Sequence, residues 1–173
     1  KARKTKTKTI KKTLAPTWNE NEVEWGNIKE DISELSLRVT VFDADMLSST
    51  VLGGVLVSLT SGLDTENAYA LQTIGNMKSE ATGTIALRLR VNAVLSEHKE
   101  ALDIKKAAQA KDDPSSTVWV TMVEAEGLLA ADKGGSSDPY ATAELVWTET
   151  GKSLQKARKT KTKTIKKTLA PTW

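Results

Sequence analysis

The sequence predicts an all-β fold, an eight-stranded antiparallel β-sandwich with one linker α-helix. Three observations point there. Short segments of alternating apolar and polar residues recur along the chain, clusters of Gly, Pro, Asp and Ser separate them, and a single stretch has helical composition.

The strand signals come first. Residues 5–11 (TKTKTIK) alternate Lys with Thr or Ile, a period of two rich in β-branched residues, and residues 14–17 (LAPT) read as a turn. Residues 35–42 (LSLRVTVF) and 54–59 (GVLVSL) follow as apolar strands. In residues 83–91 (GTIALRLRV) the alternation places Ile85, Leu87, Leu89 and Val91 on one face. Residues 117–123 (TVWVTMV) and 140–147 (YATAELVW) continue the pattern. Trp18, Trp25, Trp119 and Trp147 fall on strand patterns and are expected in the core rather than at a ligand.

One segment departs from the rule. Residues 94–111 (VLSEHKEALDIKKAAQAK) lack Gly and Pro, are rich in Ala, Lys, Glu and Leu, and align Val94/Leu95, Ala101/Leu102 and Ala108 on one stripe. A helix of about 25 Å is expected, at ~1.5 Å per residue. It stops before Asp112-Asp113-Pro114-Ser115-Ser116, a breaker cluster.

The eighteen residues Lys1 to Trp18 (KARKTKTKTIKKTLAPTW) return unchanged as Lys156 to Trp173, so the chain reads as a slice of a tandem repeat with a 155-residue period. Its expected parts are residues 1–92 as the C-terminal part of one unit, 93–114 as a helical linker, and 115–173 as the N-terminal part of the next. The duplication also distorts the charge. Each copy holds seven Lys or Arg and no acid, so counting it once brings 25 basic residues down to 18, against 22 acidic ones. The unit is mildly acidic, near −4, with one strongly basic strand set in it.

Several function classes are disfavoured. No run of 18 apolar residues and no apolar signal core occurs, Cys is absent, and there is no Asn-x-Ser/Thr acceptor, which together suggest a cytoplasmic protein. Nucleic acid is not the expected partner of a net acidic unit with no recognition motif. His98, the only histidine, lies on the expected linker helix remote from any acid cluster, so no Ser/His/Asp or paired-acid site is supported and no enzyme is expected.

Three motifs stand out when the period is read from Thr117 through Trp173 and on from Asn19 to Val91. The run 126–140 (EGLLAADKGGSSDPY) resembles the first calcium-binding loop of the C2 domain family. The basic strand leading into residues 13–20 (TLAPTWNE) is similar to its KTLxPxWNE stretch, and Val41-Phe42-Asp43-Ala44-Asp45 followed by Leu52-Gly53-Gly54-Val55 resembles its third loop and next strand. The strand order resembles the type II permutation, in which the ends of the unit lie opposite the calcium loops. By resemblance Asp132, Asp138, Asp43 and Asp45 would bind Ca2+, a hard cation that takes six to eight oxygens. The family's further Asp is missing from residues 46–51 (MLSSTV), leaving Ser49 or Thr50 as poor substitutes and implying weak binding. Alternatively, Asp132 and Asp138 only shape their loop.

The resemblance also implies membrane contact. Met46, Leu47 and Leu129 could enter a lipid interface, although Leu129 could equally pack in the core. The basic strand places Lys4, Lys6 and Lys8 on one face, with Lys159, Lys161 and Lys163 in the second copy. These would attract anionic lipid, phosphoinositide or phosphatidylserine, or else block aggregation at a solvated edge. Two functions follow as expectations. One is calcium-modulated binding of anionic phospholipid membranes, repeated for avidity. The other is a calcium-independent scaffold array, a filament or tether at a membrane or the cytoskeleton. Neighbouring repeats or chains would meet head to tail, and a stiff linker favours exchange of half-domains between chains over closure within one.

Overall fold

Two four-stranded antiparallel sheets face each other across one apolar core in the computed structural model, which describes residues 4–19, 22–45, 47–59, 64–93 and 115–154. In chain order the elements are β1 (Lys4–Lys6), β2 (Val23–Ile28), a 3-10 turn at Ile32–Glu34, β3 (Leu35–Ala44), β4 (Ser49–Ser58), β5 (Thr65–Ala70), β6 (Thr84–Asn92), β7 (Ser116–Glu126) and β8 (Pro139–Trp147). One sheet runs β1-β8-β3-β4 and the other β2-β7-β6-β5. The expected all-β sandwich is therefore the fold. The expected helix falls in residues outside those described, as do Lys159, Lys161, Lys163 and Met46.

Period-two patterning builds the core. Leu37, Val39 and Val41 on β3 are fully buried while Arg38, Thr40 and Phe42 are only half-buried on the outer face. On β6, Ile85, Leu87 and Leu89 point inward and Arg88 and Arg90 outward. Each buried Leu, Ile or Val adds about 1.5–3 kcal/mol, so this one layer supplies most of the driving force. Where the phase must change, a bulge absorbs one residue. Register slips between Val41 and Phe42 opposite β4, and between Ala86 and Leu87 opposite β7.

The four tryptophans on the expected strands divide. Trp18 and Trp25 are core residues, whereas Trp119 and Trp147 are half-buried, and the Arg90 guanidinium lies 4.2 Å from the Trp119 ring on the outer face of its sheet. The alternation of β7 explains this. Val118 and Val120 take the inward phase and leave Trp119 outside.

Both halves of the chain lie in one sandwich. β8 sits between β1 and β3, and β7 between β2 and β6. Asn92, the last residue of β6, lies opposite Thr117 on β7, so the intervening residues leave and return at the same end of adjacent strands. In this structure the halves meet within one chain, β7 and β8 each taking two hydrogen-bonded neighbours from residues 4–92. That end lies opposite the loops bearing the candidate carboxylates, the placement expected of the type II order.

Candidate metal centre and basic edge

The alternation that buries β3 carries on one step past its apolar residues. Leu37, Val39 and Val41 are followed in the same phase by Asp43, which is 1% exposed, so a carboxylate stands at the mouth of the core. Asp45, two residues on and just past the end of β3, is exposed. β3 pairs with β8 through Asp43 opposite Pro139, which brings the turn after β3 beside the loop 127–138 that precedes β8.

That loop is held by its own backbone and by one buried hydroxyl. The Asp132 amide donates to the Ser136 carbonyl at 2.9 Å, and the Gly135 amide returns to the Asp132 carbonyl at 3.1 Å. Ser137, fully buried, donates to the Leu129 carbonyl at 2.9 Å and accepts from the Ala131 amide at 3.0 Å. Sequence reasoning passed over Ser137. Nothing periodic marks such a staple, since its partners lie within an irregular loop.

The result is a cluster of Asp43, Asp45 and Asp132, each offering a carboxylate oxygen within 4.8 Å of the others. Two oxygens on opposite sides of a calcium ion, each about 2.4 Å from it, lie about 4.8 Å apart, so all three can meet one ion. Three carboxylates offer up to six of the oxygens such an ion needs. The donor set fits a hard divalent cation and suits no soft metal.

Asp138 is placed differently. Its carboxylate accepts from the Lys12 amide at 2.6 Å, its own amide donates to the Asp43 carboxylate, and its carbonyl accepts from the Ala44 amide at 3.0 Å. It ties three segments together, while the other three expected ligands converge without it. Thr50 donates to Asp45 Oδ2 at 3.3 Å, as does Ser48, and Ser49 bonds the Tyr140 hydroxyl at 2.9 Å. The two suggested substitutes are thus engaged, one with a cluster carboxylate and one with β8.

Burial pushes the Asp43 carboxyl above its ordinary value. The bond from the Asp138 amide opposes the shift, and the negative charges of Asp132, Asp45 and Asp138 add to it. A divalent cation among these groups would reverse both the desolvation and the repulsion.

Around the centre, Leu47 is completely exposed beside the cluster, whereas Leu129 is half-buried against the core. On the far edge of β8, β1 and the residues just past it present Lys4, Lys6 and Lys8 as exposed side chains, and Thr7, 2% exposed, turns inward. The Thr7 hydroxyl accepts from the Ala141 amide at 2.6 Å. Lys4 Nζ lies 3.7 Å from Glu144, and Lys6 Nζ lies 3.5 Å from the centre of the Tyr140 ring, which stacks on Phe42. Glu144 also takes Arg38 at 2.7 Å. The basic strip is therefore anchored from beneath by one acid and one aromatic ring.

Among known proteins, the family model described as C2 domain matches residues 1–73 and 116–173. Rabphilin-1 of Caenorhabditis elegans is 31% identical over 173 residues, all of this chain and 14% of the relative. Synaptotagmin-4 of Rattus norvegicus is 32% identical over 146 residues, 84% of this chain and 31% of the relative. Synaptotagmin-4 of Arabidopsis thaliana is 29% identical over 202 residues, covering 97% and 34%. The chain thus spans between 14% and 34% of the length of these curated relatives. No solved structure matches significantly. With the sandwich, the loop cluster and these matches agreeing, the chain belongs to the C2 domain family.

Proposed function

We propose that the chain is a non-enzymatic C2 module whose binding to anionic phospholipid membranes is modulated by calcium. The observation that carries this reading is the cluster of Asp43, Asp45 and Asp132 with oxygens within 4.8 Å of one another. Like charges held that close repel, and a divalent cation turns the repulsion into binding. These three residues would hold the ion, with Asp138 fixing the position of Asp43 through its amide. Bound there, the ion supplies positive charge at the loop tips, where Leu47 offers an apolar side chain to a lipid interface.

Lys4, Lys6 and Lys8 form a second contact, at about 1 kcal/mol per residue near an anionic surface. A phosphoinositide or phosphatidylserine headgroup suits them. Since no helix among the described residues is long and apolar enough to cross a membrane, contact through loops and strand fits a peripheral mode. The duplicated segment supports a tandem array, in which weak modules gain avidity.

A second reading has its own observation. The carboxylate of Asp138 is taken by the Lys12 amide, and residues 46–51 contain no acid, as suits an array whose loops serve structure rather than calcium. Calcium titration with sedimentation of phosphatidylserine and phosphoinositide vesicles separates the two. Sedimentation that rises with calcium supports the membrane module; indifference to both calcium and anionic lipid rejects it.

A further inference from the structure

The basic segment occupies a long slot, and the chain contains that segment twice. Residues 4–6 pair with β8 through Lys4 opposite Glu144 and Lys6 opposite Thr142. Beyond the strand the same segment stays bonded. The Thr7, Ile10 and Thr13 amides donate to the carbonyls of Ala141, Pro139 and Ser137 at 2.7, 2.9 and 2.8 Å. The Leu14 and Pro16 carbonyls accept from Leu128 and Ala125 at 3.0 and 2.8 Å, and the Trp18 amide donates to Val123 at 2.6 Å. Trp18 then fills the core at 3% exposure. Every one of these contacts is made by a residue that recurs 155 positions later.

β8 itself already starts toward the second copy. Past β8 the chain turns back, with the Trp147 amide donating to the Lys152 carbonyl at 2.9 Å, the Leu154 amide to Leu145 at 3.0 Å, and Ser153 bridging Val146 antiparallel. This hairpin runs along the edge of β8 that β1 uses, because β3 holds the other. Leu154 is bonded at Leu145, and the slot opens at Glu144, the next residue. The counterpart of Lys4 is Lys159. In sequence, residues 155–158 lie between Leu154 and that position, so a second copy seated with Lys159 opposite Glu144 would have to loop out only those four residues.

We propose that this edge of β8 is a docking site for either copy of the eighteen-residue segment, and that residues 156–173 exchange with residues 1–18 in it within one chain. Identical side chains make identical contacts, so the slot has no intrinsic preference. The connections alone decide occupancy. The first copy is tethered through β2, and the second through the turn after β8. Intramolecular tethers of both kinds give high effective concentrations, so filling from within outcompetes a second molecule. Whichever copy is displaced carries its seven basic residues off the sandwich and frees them for another contact.

The exchange can be trapped covalently, and the absence of Cys makes the trap clean. Thr7 and Ala141 form a hydrogen-bonded pair, so Lys6 and Thr142, the next pair along, are of the non-hydrogen-bonded kind. Such pairs have Cα atoms about 4.5 Å apart, within disulfide range. Two full-length variants are compared under mild oxidation at low concentration: K6C with T142C, and K161C with T142C. Intramolecular disulfides are read by mass after digestion. Exchange predicts that both variants close within one chain, at rates within about tenfold of each other, the ratio corresponding to no more than ~1.4 kcal/mol of preference. If only one of the two closes, or if the K161C variant links only between molecules, the proposal is overturned.

Discussion

Replacing Asp43 by Asn should stabilise the ion-free protein and abolish its response to calcium. Asp43 faces Asp45 and Asp132 with oxygens within 4.8 Å. At that distance two unit charges repel by about 0.9 kcal/mol even at the dielectric of water, and more where one partner is buried. Asp43→Asn removes two such pairs, about 2 kcal/mol at the lower limit. Against this, the bond from the Asp138 amide loses its charged acceptor, a loss of about 1 kcal/mol. The net gain is about 1 kcal/mol, or about 2–4 °C in Tm for a chain of this size. The sign follows from the raised carboxyl of Asp43. Its penalty is absent below the ordinary value of 3.8 and grows as pH rises through the higher folded value, so the gain shows at neutral pH and fades in acid. In the parent protein, calcium at a hundred times its Kd adds about 2.7 kcal/mol. The variant should show almost none of this. Differential scanning calorimetry with chelator and with calcium measures both effects. A lower Tm in chelator, or an undiminished calcium shift, refutes the reasoning.

Other outcomes follow from the same geometry. Leu47→Ala should leave Tm unchanged, because the side chain touches only solvent, yet weaken calcium-dependent vesicle binding about tenfold if a Leu enters the interface; unchanged sedimentation argues against insertion. Burial pushes the Glu144 carboxyl upward, but Arg38, Ser153 and Lys4 together hold it below its ordinary value, so its contribution is present above pH 4.5 and is lost as pH falls through the folded value. Glu144→Gln should therefore flatten the acid limb of a Tm-against-pH curve and lower stability at pH 7 by about 2 kcal/mol; a parallel curve contradicts this. Gly83 has φ +86°, and a Cβ there would lie 2.1 Å from the Glu126 carbonyl oxygen. Gly83→Ala should cost about 3 kcal/mol or more, a drop of ~6 °C or greater in thermal melts.

Much of the fold was legible because burial on one face writes itself into alternation. β3, β7 and β8 contain the segments whose pattern marked them and run one to three residues further, while β4 starts five residues before its segment and stops one short of it, and β6 is displaced by one residue at each end. β5 (TENAYA) escaped notice because it is an edge strand whose residues are all exposed or half-buried, so no apolar face was there to read. The strand expected over residues 5–11 shortens to Lys4–Lys6, since β8 begins at Pro139 and the later residues pass on to the irregular loop before it, Thr13 bonding Ser137. Of the site, Asp43, Asp45 and Asp132 were legible from the resemblance. The engagement of Asp138 with Lys12 was not, because it joins residues 126 positions apart through a backbone amide. Sequence spacing carries no trace of such a bond.

The pairing of Asn92 with Thr117 also has a mechanical meaning. In the register where a unit begins at β7 and ends at β6, its two ends sit side by side on adjacent antiparallel strands. Tension along an array of such units would load the β6–β7 ladder one bond at a time, like a zipper, rather than all bonds together in shear. Each module would then yield at low force while its loop cluster, at the opposite end of the sandwich, stayed assembled. A string of these units would give way at its joints before it lost its binding tips.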